Sequence, residues 1–61
     1  MRKPYMVLTG DEENVDEFDS QHATYPDAVT VAEAAENRGE FALVVDLRSV
    51  ATGHGVVYST T

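Results

Sequence analysis

The chain has 61 residues, with 11 acidic and 4 basic side chains, a formal net charge of −7 and no cysteine. That length holds a single domain, residues 1–61, and a domain of this size buries only about 60% of the surface its unfolded chain exposes. The absence of cysteine excludes disulfide staples, thiolate metal sites and a cysteine nucleophile, while the acidity repels phosphate backbones and anionic membrane surfaces.

Two histidines cannot by themselves close a structural zinc site, and no cofactor or metal is expected. The longest apolar run, Phe41 to Leu47 with one acid in it, falls far short of the ~20 residues of a membrane-spanning helix. Behind the basic start Met1-Arg2-Lys3-Pro4, the apolar stretch Tyr5–Leu8 is too short for a secretory signal. The expectation is a cytoplasmic protein with no membrane association and no direct nucleic-acid contact. A core this small calls for support from another protein or a second copy. Lys3 is the sole lysine among abundant Asp, Glu, Thr, Val and Ala; such a composition resembles proteins of salt-loving organisms, in which acidity keeps the surface hydrated.

Tyr5 to Thr9 reads as a first strand, with Pro4 at its entrance and Gly10 behind it. Asp11 to Asp19 then holds six acids in nine residues. Asp11 to Asn14 has turn chemistry, because Asp and Asn side chains satisfy nearby backbone groups. Val15 to about Gln21 returns as a short second strand whose exposed charge blunts edge pairing. A helix follows. Thr24 caps it, Pro26 pre-sets the first turn and Asp27 favours the positive end of its dipole. It runs from Tyr25 or Pro26 to about Asn37, and Gly39 supplies a left-handed stop.

Ala28, Val31, Ala32 and Ala35 lie at i, i+3, i+4 and i+7 and form its apolar stripe. Phe41 to Leu47 follows as the third strand. Because the stripe is mostly alanine, bulk is expected from the sheet, and the large odd positions Phe41, Leu43, Val45 and Leu47, with Met6 and Leu8, are assigned to the helix side. Ala42, Val44 and Asp46 then face away. Thr52-Gly53-His54-Gly55 signals a turn; either the loop is long, or the third and fourth strands extend into it around Val50. A final strand, Val56–Ser59, hairpins back, and Thr60 and Thr61 fray. The order ββαββ implies an α+β two-layer fold. Its antiparallel sheet has three to four strands, in spatial order 2-1-3-4 when the second strand forms.

No motif dictates a chemistry. The acidic run lacks the alternating ligands and internal glycine of a calcium loop, and its solvated carboxylates have nothing to raise their pKa for acid–base work. His54 reads as a polar turn residue, and His22 as a partner for backbone groups before the helix. Ser20, Ser49 and Ser59 lack the strand-to-helix turn of a nucleophile, and no phosphate-binding glycine loop occurs. An enzyme is not expected.

Two candidate working surfaces remain. One is the acidic run, with Asp11, Glu12, Glu13, Asp16 and Glu17 docking on a basic protein patch; in size and charge it resembles small acidic, often phage-encoded inhibitors, with a nucleic-acid mimic as the extreme case. The other is the sheet face away from the helix, assigned Tyr5, Val7, Ala42, Val44 and either Val57 or Val56 with Tyr58. That face is too apolar for open solvent. The functional expectation is a small acidic, non-catalytic protein-interaction module, a regulator or inhibitor docking on a basic or apolar surface. The alternative is a structural homodimer, formed through the outer sheet face, whose acidity reflects habitat. On this assignment Val44→Glu disturbs association more than folding.

Overall fold

The computed structural model describes residues 2–49 and 55–59. It has the order β1 (Tyr5–Gly10), β2 (Glu17–His22), α1 (Tyr25–Asn37), β3 (Phe41–Asp46) and β4 (Val56–Ser59). The expectations for Val50, Thr52, Gly53, His54, Thr60 and Thr61 lie outside the described residues. The four strands form one sheet, ordered β2-β1-β3-β4, and every neighbouring pair is antiparallel. The fold is therefore the expected ββαββ α+β type, with α1 packed on one face of the sheet. β2 and β3 run parallel to each other on either side of β1, so α1 carries the chain across the strand between them.

Local chemistry explains the elements. Thr24 sits extended at the N-cap, and its Oγ1 accepts from the Asp27 backbone N–H at 3.4 Å. Pro26 lies in the first turn, where a missing N–H costs nothing. At the other end Gly39 has φ +85°, a left-handed conformation that glycine adopts without a Cβ penalty. The Glu40 N–H closes the cap by donating to Ala35 O at 3.0 Å.

The first hairpin turns on Asp11. Its Oδ1 accepts from the backbone N–H groups of Glu13 and Asn14 at 3.0 and 2.8 Å, and the Asp11 N–H donates to Asn14 O at 3.2 Å. Gly10 is required by close approach: a Cβ there would come within 1.8 Å of Asn14 O.

The core lies opposite to where residue size predicts it. Val7, Ala28, Ala32, Ala35, Ala42 and Val44 are fully buried and form the helix–sheet interior, with Tyr5, Val31 and Tyr58 packed against it. Val7 pairs with Val44 across β1 and β3, and Val44 with Tyr58 across β3 and β4, so these residues share the helix face. Alternation sends Met6, Leu8, Phe41, Leu43 and Val45 to the other side of the sheet, and none of them is fully buried. The assignment of Phe41, Leu43, Val45 and Leu47 to the core, and of Tyr5, Val7, Ala42, Val44 and Tyr58 to the outer face, is thus corrected. The physical reason is distance. An alanine-striped helix reaches close packing by approaching the sheet, and the sheet face beneath it must then be small as well. Bulk on that side would hold the layers apart.

Candidate functional site

Two arrangements of side chains stand out: a polar cluster at one end of the helix-side face, and the whole of the opposite face.

The polar cluster grows from the register. Tyr5 pairs with His22 on one side and Asp46 on the other, so all three side chains lie in one row. Asp46 is only 9% exposed, and a carboxylate so placed needs partners. Arg48, two residues on, supplies them. Its backbone N–H and its Nε each donate to Asp46 Oδ1 at 3.0 Å, and Nη2 donates to Oδ2 at 3.0 Å. Nη2 also donates to the Tyr5 hydroxyl at 2.8 Å, and the guanidinium sits 5.2 Å from the Tyr5 ring centroid. The hydrogen bonds and charge of Arg48 hold the Asp46 carboxyl below its ordinary value, and Asp46 in turn raises the guanidinium. Tyr25 stacks edge-on to Tyr5, with centroids 5.9 Å apart, and its hydroxyl donates to Val57 O at 3.3 Å.

Chemically this cluster is a closed ion pair. Both carboxylate oxygens are engaged, and Nε and Nη2 of the half-exposed guanidinium bond to protein groups. It anchors the end of β3 to β1. Sequence reasoning missed it because Asp46 was assigned to the outer face. The available signal was Asp46-x-Arg48: an acid at the parity of Ala42 and Val44, with a base within reach.

His22 does not serve the backbone before α1, as expected; its Nε2 is hydrogen-bonded to Ser20 Oγ at 2.7 Å. Tyr58 donates its hydroxyl to Glu36 Oε1 at 2.5 Å. That bond to a carboxylate, followed by burial and the Glu36 charge, pushes the phenol up to about 12. No group of three or more His, Cys, Asp or Glu that could hold a metal ion occurs among the described residues. Among the described residues no helix is long and apolar enough to cross a membrane.

The five acidic candidates divide. Glu12, Glu13, Asp16 and Glu17 are exposed at the Gly10 end of the sheet, and Glu17 is paired with Thr9 as the first residue of β2. Asp11 is also exposed, but its carboxylate folds back on the turn. Of the four apolar candidates, Val7 and Val44 are fully buried under α1 and unavailable to a partner, and Tyr5 belongs to the Arg48 cluster. Val57 is 39% exposed on the edge strand.

The open face holds what the interior lacks. Pairing places Met6, Leu8, Phe18, Leu43, Val45 and Val56 on it, with Phe41 at its margin. Phe18 is 58% exposed and Val56 57%. No described element lies across these residues, since α1 covers the other side. Gly10, Gln21 and Ser59 complete the paired positions, and none of them is charged. Asp19, the extra residue of the β2 bulge, is the one acid of the sheet whose side the pairing does not fix. No protein-family model, curated protein or solved structure matches the chain.

Proposed function

We propose that the protein is a small, acidic, non-catalytic interaction module that docks on an apolar surface of another protein chain through the open face of its sheet. One observation carries this reading: Met6, Leu8, Phe18, Leu43, Val45 and Val56 share a face that no described element covers. Contiguous apolar surface of this kind marks an interaction site on a soluble chain. The loop acids Glu12, Glu13 and Asp16 are exposed at the hairpin end of the sheet, whereas Glu17, paired with Thr9, belongs to the helix side. The loop acids suit the open face to partners with a basic rim, whose encounter they accelerate by long-range attraction. Occlusion of the partner's surface is the corresponding mechanism of regulation or inhibition.

The test is capture on the immobilised chain, counting second copies and other proteins alike. Leu43→Glu puts a charge at the centre of the face and is expected to abolish retention while helical circular dichroism persists. Neutralising Glu12, Glu13 and Asp16 together should slow association and leave the bound state largely intact. Retention by Leu43→Glu equal to that of the wild type would show that the face is not the working surface.

A further inference from the structure

We infer that the occupant of the open face is a second copy of this chain, giving a face-to-face dimer of two sheets with the helices on the outside. The inference rests on reading that face as the working surface and names what covers it.

The first argument is the size of the interior. Val7 and Val44 are the largest fully buried side chains. The remaining buried apolar residues in the core cluster are alanines: Ala28, Ala32, Ala35 and Ala42. The larger residues Met6, Leu8, Phe18, Leu43 and Val45 are on the other side of the sheet. The chain therefore carries the bulk of a second core that no described element closes. Small domains lacking disulfides and metals draw that layer from association. A second copy is the one partner present whenever the chain is present.

Charge distribution is the second argument. The net charge is −7, yet no paired position on the open face is charged. Burying the face against its own copy therefore desolvates no carboxylate from those positions. Asp27 and Glu33 on α1 are exposed on the opposite side of the molecule. In the dimer they are separated by two helices and two sheets. Glu12, Glu13 and Asp16 stay exposed at the solvated rim of the two sheets, ~10 Å apart, and their like-charge repulsion is the part that salt screens, over about 8 Å at physiological strength.

Area is the third. Strands of this length, side by side, present roughly 20 Å by roughly 19 Å. Two copies thus lose on the order of 800 Å² of plan area, before the relief of pleat and side chains is added. Plan area is a lower bound on the accessible area lost, so the contact approaches the ~1,000 Å² scale of a specific interface.

Edge pairing is the competing geometry for two copies. β2 is guarded by Glu17, Asp19 and its bulge, whereas β4, Val56–Ser59, carries no charge. Sedimentation equilibrium of the wild type, combined with isotope-filtered NMR on a mixture of labelled and unlabelled chains, separates the geometries. The expected result is twice the 6.7 kDa chain mass, with intermolecular contacts among the methyls of Met6, Leu8, Leu43 and Val45. Molar salt should tighten the dimer by screening its like charges. Leu43→Glu should weaken it about 100-fold or more, and Leu43→Thr, which keeps strand propensity, should weaken it in the same direction. Glu33→Gln should leave it unchanged.

A wild type that stays at the monomer mass up to about 1 mM overturns the inference, as do intermolecular contacts confined to β4. A monomer whose capture of another protein is still lost in Leu43→Glu sinks the second copy while sparing the interaction reading. Unchanged capture in that variant sinks both.

Discussion

Val44 shows how much depends on which way one side chain points. It is fully buried beneath α1, so Val44→Ala should cost about 2–3 kcal/mol from lost burial and the space left behind. Val44→Glu places an unpaired carboxylate there and should abolish the cooperative thermal transition. This reverses the expectation that Val44→Glu disturbs association more than folding; that behaviour now belongs to Leu43→Glu. Gly10→Ala drives a methyl into the Asn14 carbonyl and should lower stability by about 1–3 kcal/mol in urea titration.

Two ionisable groups give pH signatures. Asp46 has a folded pKa below its ordinary 3.8. Its contribution to stability is therefore fully present above that value and fades as pH falls through the lower folded one. Carboxyl NMR should find its midpoint below 3.8 in the wild type and higher in Arg48→Ala. Tyr58 is the opposite case, a phenol raised from 10.0 to about 12. Its contribution is present below pH 10 and disappears as pH climbs through about 12. The phenolate absorbance lost in Tyr58→Phe should have its midpoint near 12 in the folded wild type.

At the scale of elements, α1 was almost wholly legible. Its cap, first-turn proline, alanine stripe and terminal glycine are all local, and the observed span Tyr25–Asn37 follows them. Thr24→Ala should cost about 1 kcal/mol, read as a lower midpoint in urea. The strands were legible in existence and order, since β-branched runs and turn residues bracket them. β2 begins at Glu17, later than the expected Val15, because the Asp11 turn extends the loop. What could not be read was facing. β1 and β3 are apolar on both sides, so alternation defines two faces and leaves open which one the helix takes. Thr9 and Asp46 are the polar breaks in that symmetry, and a carboxylate reads as exposed until its arginine is seen beside it.

For the whole molecule, stability per residue in ordinary domains implies about 3–9 kcal/mol for a chain of this length. An interior of two valines and a set of alanines supports the lower end of that range. If a second copy closes the open face, the melting temperature should rise with protein concentration, because mass action stabilises the assembled state. Calorimetry across a hundredfold dilution, with Leu43→Glu as the concentration-independent control, reads this directly.

Length, charge, capping chemistry and periodicity by themselves determined one small acidic α+β unit with the strand order 2-1-3-4, because each of those signals acts over a few residues or over the whole composition. The tertiary structure decided which face of the sheet the helix covers. That choice depends on how close an alanine-lined helix can come to its sheet, a property of two packed surfaces that no single segment carries. It moved Val7 and Val44 inside, engaged Asp46 with Arg48, and turned Leu43 and its neighbours outward as the surface on which the proposed function rests.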